Sequence, residues 1–139
     1  MTFLRGRLRL LGALRELARP AGAQLTHLMR LGAEGSVEEL RLQFEDAMIG
    51  AVSFLGREVS ASQAKRLHAL RAQLHAMAPR EQAHLWSERA LRRAPEWADV
   101  RELAAAALIE FDAWPRSWGK GRRRAIRRNA DAARKLKDS

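Results

Sequence analysis

The chain has 139 residues, no cysteine, 47% hydrophobic and 30% charged residues, and a formal net charge of +10. This composition excludes a disordered polymer, a disulfide-stapled mini-protein, thiol catalysis and thiolate metal sites, and the chain is long enough to bury a core without a staple. A reducing, cytoplasmic compartment suits it.

Apolar residues recur at helical spacing almost throughout, and alternating runs of β-branched residues are missing, so the expected fold is all-α. It reads as a compact bundle of five or six helices over residues 1–114, followed by a basic C-terminal segment over residues 115–139. The spacing predicts a first helix from Phe3 to Arg19, with Leu4, Leu8, Leu10, Leu11, Leu14 and Leu17 on a broad leucine face and Arg5, Arg9, Glu16 and Arg19 opposite. Pro20 closes it. The leucine face suits packing inside the bundle, docking of a protein partner or a second copy through Leu4, Leu8 and Leu11, or a membrane surface. Arg5, Arg7, Arg9 and Arg15 interrupt it too often for a secretory signal, and no stretch reaches the roughly 20 apolar residues of a transmembrane helix.

A short apolar stretch, Ala21 to Leu31, precedes a break at Gly32 to Gly35. Ser36 and Glu39 form a possible capping box for a helix whose stripe is Val37, Leu40, Phe44, Ala47, Met48, Ala51 and Leu55, with Gly56 as its expected end. A second capping box, Ser60 with Gln63, opens a helix in which Leu67, Leu70, Leu74 and Met77 lead to a stop before Pro79. Pro79 and Pro95 suit the first turns of two further helices, where a missing N–H costs nothing. The helix from Pro79 to Arg93 is expected to bury Ala83, Trp86, Ala90 and Leu91. The helix from Pro95 to Trp114 carries Val100, Leu103, Ala107, Phe111 and Trp114, and its run Ala104 to Ala107 permits close approach of a neighbour. One tetratricopeptide-like register ending at Pro95 places Ala90, Ala83 and Leu70 at consensus positions. It has no second copy, so no repeat architecture is expected.

The sequence carries no catalytic signature, and the expectation is a non-enzymatic protein without a cofactor. His68 and His75 stand seven residues apart, about 10 Å along a helix, too far to share a metal ion. The neighbouring carboxylates Glu38 and Glu39, Glu45 and Asp46, and Glu110 and Asp112 point apart on a helix and read as solvated faces. No Gly-x-Ser-x-Gly occurs, and Gly119-Lys120-Gly121 lacks the strand, the spaced glycine and the hydroxyl of a phosphate loop. His27, His68, His75 and His84 read as rim or surface residues.

The charge, in contrast, is strongly partitioned. Residues 1–20 carry +4, residues 21–114 carry −2, and residues 115–139, with ten Lys or Arg against Asp131 and Asp138, carry +8. Clustered guanidinium groups pair with phosphate oxygens and displace condensed counterions, so the C-terminal segment points to nucleic acid, RNA or DNA. The order Arg122-Arg123-Arg124-Ala125-Ile126-Arg127-Arg128-Asn129 resembles the arginine-rich motifs of viral and phage RNA-binding peptides. That resemblance implies backbone contacts from Arg123, Arg124, Arg127 and Arg128 and a base-edge contact from Asn129, although Asp131 interrupts the basic face. The candidate nucleic-acid-binding residues are Arg116, Trp118, Lys120, Arg122, Arg123, Arg124, Arg127, Arg128, Asn129 and Arg134. Trp114 and Trp118 suit either anchoring on the bundle or stacking on an unpaired base. The leading expectation is a small regulatory or accessory nucleic-acid-binding protein. The alternative is a helical protein–protein interaction module, such as an inhibitor, adaptor or immunity-like protein, with incidental basic charge.

Overall fold

The computed structural model describes residues 2–32, 36–55 and 59–113. Among the described residues the chain is all-helical, as expected, with six α-helices and one 3-10 helix and no strand. They are α1 (Thr2–Ala18), α2 (Ala21–Arg30), α3 (Glu38–Leu55), α4 (Ala61–Ala76), a 3-10 helix (Arg80–Trp86), α5 (Glu88–Arg93) and α6 (Pro95–Glu110). None of them is long and apolar enough to cross a membrane.

Helix α6 lies in the middle, packed by α1 on one side and α4 on the other, and α3 covers α1. The sequence of α6 permits this. Trp97, Val100 and the run from Ala104 to Leu108 are all buried, so the helix is apolar on most of its circumference and can accept neighbours on two faces. Around it, Leu10, Leu14 and Leu17 of α1, Leu40 and Phe44 of α3, and Leu67, Leu70 and Leu74 of α4 are almost fully buried. The leucine face of α1 therefore packs inside the bundle. Leu11 belongs to that core, whereas Leu8 is 59% exposed and the Leu4 side chain lies outside the described residues. Leu8 is turned away because the buried arc is set by close contact with both α3 and α6, on the side of Gly6, Leu10, Leu14 and Leu17.

The crossing of α1 and α3 depends on a glycine. A Cβ on Gly6 would stand 2.8 Å from the carbonyl oxygen of Gly50, whereas a Cβ on Gly12 of the same helix meets nothing. Opposite outcomes follow for one substitution made at two sites. Gly12→Ala is expected to raise stability by about 1 kcal/mol through helix propensity, and Gly6→Ala to lower it by about 1–3 kcal/mol by forcing the two backbones apart. Urea-unfolding midpoints of the two variants check both signs.

Local signals account for most helix ends. Gly32, at φ 85°, stops α2 in the left-handed conformation that glycine takes without strain. The Ser60–Gln63 capping box is present in both directions, with the Gln63 amide donating to Ser60 Oγ at 3.1 Å and the Ser60 amide donating to Gln63 Oε1 at 2.9 Å. Pro95 occupies the first turn of α6. The start of α3 has the Glu39 amide donating to the Ser36 carbonyl at 2.9 Å. Gly56, its expected end, lies outside the described residues.

Two boundaries differ from expectation. The stretch Pro79 to Arg93 is not one helix but a 3-10 helix and α5, divided at Ser87, whose hydroxyl accepts from the Ala90 amide at 3.0 Å and starts α5 afresh. Because the first piece turns every three residues rather than every 3.6, the α-helical face fails: Ala83 is exposed, Trp86 and Ala90 are half-buried, and Leu85 and Leu91 fill the core. Helix α6 stops at Glu110, four residues before Trp114. Asp112 takes φ 53°, its amide donates to the Ile109 carbonyl at 2.9 Å, and the Ala113 amide donates to the Leu108 carbonyl at 2.9 Å, which together form a Schellman stop. Trp114 lies outside the described residues.

Candidate functional site

All ten candidate nucleic-acid-binding residues, Arg116, Trp118, Lys120, Arg122, Arg123, Arg124, Arg127, Arg128, Asn129 and Arg134, lie outside the described residues. The structure instead shows what surrounds the point where this segment is joined to the bundle. That point is the Schellman stop of α6, and the starts of α1 and α4 meet it. The Arg7 guanidinium of α1 sits over the Phe111 ring, 5.5 Å from its centroid. Gln63, while capping α4 through its Oε1, donates from Nε2 to the Glu110 carbonyl at 3.1 Å, so one side chain serves the start of α4 and the end of α6. Arg66 Nε lies 3.7 Å from Glu110 Oε1, and Gly6 of α1 abuts Gly50 near the end of α3.

Two cations, Arg7 and Arg66, stand at the end of α6, where Glu110 and Asp112 are the carboxylates. Arg7 and Arg66 are engaged by Phe111 and Glu110. Arg5, Arg9 and Lys65 are exposed and have no ion-pair partner among the described residues.

Elsewhere three carboxylates of the bundle, Glu16, Glu38 and Glu45, are paired with its own cations, whereas Glu39, Asp46, Glu81, Glu88, Glu96, Asp99 and Asp112 have no ion-pair partner among the described residues. Glu16 pairs with Arg19 at 3.2 Å. Glu38 and Glu45 grip Arg41 at 2.6 and 3.3 Å, and Glu45 also meets His75 Nε2 at 3.2 Å. The hydrogen bond that Arg41 donates to Glu38 holds its guanidinium above the ordinary range, against the opposing effect of burial. Arg41 also lies over Trp86, 5.8 Å from the ring centroid. A buried polar link escaped the sequence reading altogether. Gln24, fully buried, donates from Nε2 to the Glu16 and Leu17 carbonyls at 3.1 and 3.0 Å, closing the end of α1, while its Oε1 accepts from Arg101 Nη1 at 3.1 Å. Arg101 donates in turn to the Leu91 carbonyl at 3.0 Å. No periodicity signals such a contact, because its partners lie 77 residues apart.

Clefts open to solvent among the described residues include the following two. One, of about 280 Å³, lies between α1, α2 and α3 and contains Arg9, Glu16, His27, Gln43 and Asp46. In it His27 Nε2 stands 3.1 Å from Gln43 Oε1 and its Nδ1 3.8 Å from Glu16 Oε2. The other, of about 380 Å³, lies beside the start of α6 and has Arg89, Arg93 and His84 on its walls. His68, His75 and His84 are exposed and His27 is half-buried, which fits their reading as rim or surface residues. No group of three or more His, Asp or Glu suited to a metal ion occurs among the described residues. No known family, no curated protein and no solved structure matches the chain.

Proposed function

We propose that the chain is a small, non-enzymatic nucleic-acid-binding protein of regulatory or accessory type, which grips RNA or DNA through the Arg-rich segment 115–139 while the helical bundle positions that segment. The observation that carries this reading is the charge partition: +8 of the net +10 sits in the last 25 residues. A reducing compartment such as the cytoplasm suits the cysteine-free chain.

Salt dependence tests the proposal. With four to six phosphates neutralised, log K for a DNA duplex is expected to fall against log salt with a slope of about −4 to −5. Fluorescence anisotropy over a salt series measures it, and a slope near zero sinks the reading.

A helical protein–protein interaction module is the second reading, and one observation favours it. Leu8, Met29 and Ile49 are 59%, 78% and 72% exposed, apolar side chains that a partner would cover. Of the expected Leu4, Leu8 and Leu11 face, Leu11 is buried in the bundle and Leu8 is exposed to a partner. A mass in solution above the monomer that persists after nuclease treatment supports this reading over the first.

A further inference from the structure

We infer that the cleft between α5 and the start of α6 binds a small phosphate monoester with an apolar group, its phosphate held by Arg89 and Arg93 and its organic part laid against the apolar wall. The site is independent of the nucleic-acid reading above and lies wholly among the described residues. Its volume of about 380 Å³ is within the range of small-molecule sites. Arg89 and Arg93 both line it. They are one turn apart on α5, which puts their Cβ atoms about 6 Å from one another on one face of the helix. Like charges at that spacing destabilise a helix, and α5 has only six residues over which to offset the cost. Neither guanidinium is neutralised within the fold. Glu88 and Glu96 are the nearest carboxylates in sequence, and no ion pair joins either of them to Arg89 or Arg93 among the described residues.

The charge and the lining of the cleft specify the ligand. A phosphate monoester carries a charge of about −1.5 to −2 and three strong acceptor oxygens, so it can satisfy both guanidinium forks, whereas a carboxylate matches one. Leu85, Ala90, Ala94 and Pro95 add an apolar surface that inorganic phosphate cannot use. Two titratable groups share the wall with the arginines. His84 adds positive charge when protonated, and Glu96, half-buried, opposes an anion and lowers the affinity that the arginines confer. The cleft is held in shape before a ligand arrives. Trp97 Nε1–H donates to the Leu85 carbonyl at 2.6 Å, the Ala94 amide donates to the Ala90 carbonyl at 2.7 Å, and Ser87 Oγ accepts from the Ala90 amide at 3.0 Å. Binding therefore orders little beyond the Arg89 and Arg93 side chains.

The experiment titrates phenyl phosphate into the whole chain at neutral pH by isothermal titration calorimetry, with inorganic phosphate, phenol and benzoate as comparison probes. Phenyl phosphate is expected to bind one to one and at least about tenfold more tightly than any of the three. Arg89→Ala with Arg93→Ala is expected to weaken it by about tenfold or more, and Glu96→Gln to tighten it by about two- to fivefold. Arg5→Ala with Arg9→Ala removes the same charge from α1, outside the cleft, and is expected to leave binding unchanged. Arg89 and Arg93 are exposed, so the bundle folds without them, which an unmoved thermal-unfolding midpoint verifies. Phenyl phosphate that binds no better than inorganic phosphate, or equally well to the Arg89 and Arg93 variant, overturns the site. The nucleic-acid reading is untouched by that result, because it rests on residues 115–139.

Discussion

Deletion of residues 116–139 is expected to abolish binding to duplex RNA or DNA while leaving the unfolding transition of the bundle nearly unmoved. The segment removed carries ten Lys and Arg against two Asp, so the truncated chain falls from +10 to +2. At a slope of −4 to −5, a fourfold rise in salt alone weakens the intact protein about 250- to 1000-fold, which shows how much of the affinity is counterion release. Loss of that segment leaves a net charge of +2, too little to hold a duplex at physiological salt. Stability responds differently. Every core side chain named above precedes residue 114, so the deletion removes none of the described packing and its effect on unfolding is expected within about 0.5 kcal/mol. Anisotropy and thermal unfolding of the same sample separate the two results. Binding retained by the truncated chain transfers the grip to α1.

The largest stability effect is expected at Trp97. Its ring is fully buried, its Nε1–H donates to the Leu85 carbonyl at 2.6 Å, and it meets Trp86 edge-on with centroids 5.3 Å apart. Trp86 in turn donates to the Met77 carbonyl at 2.8 Å. The pair therefore fastens the 3-10 helix to the start of α6 and the end of α4, a region whose backbone has only short helices of its own. Trp97→Ala opens a cavity the size of an indole and leaves a carbonyl unpaired, at a cost of about 3–5 kcal/mol. For a chain of this size that lowers Tm by about 10–20 °C. Trp97→Phe keeps most of the volume and loses the donor, so its cost is expected to be nearer 1–2 kcal/mol. A differential scanning measurement in which both variants melt with the wild type contradicts the assignment of Trp97 as the anchor.

Much of the fold was legible because its signals are local. The capping box at Ser60 and Gln63, Pro95 in a first turn and the Leu67, Leu70, Leu74, Met77 stripe are each written within a few residues, and each stands in the structure as read. Ser87 is the instructive failure. Its hydroxyl ends one kind of helix and begins another, and no hydrophobic period shows that the turn before it winds at three residues per turn. Asp112 failed for a related reason, since a left-handed aspartate stops a helix where apolar spacing continues to Trp114. The candidate binding residues beyond 115 were legible only as composition, because charge clustering specifies an electrostatic partner without specifying a geometry.

By itself the sequence determined the helical class, most helix starts and the distribution of charge, because propensity, capping and periodicity act over a turn or two. Only the tertiary structure decided that Leu8 faces solvent, that Gln24 and Arg101 close a polar link across the core, and that the start of α1 meets the end of α6. A hydrophobic stripe tells a helix which face to bury, but not against which neighbour or in which direction. Those choices come from close contacts such as Gly6 on Gly50 and from hydrogen bonds spanning tens of residues, and they are what bring the starts of α1 and α4 to the end of α6.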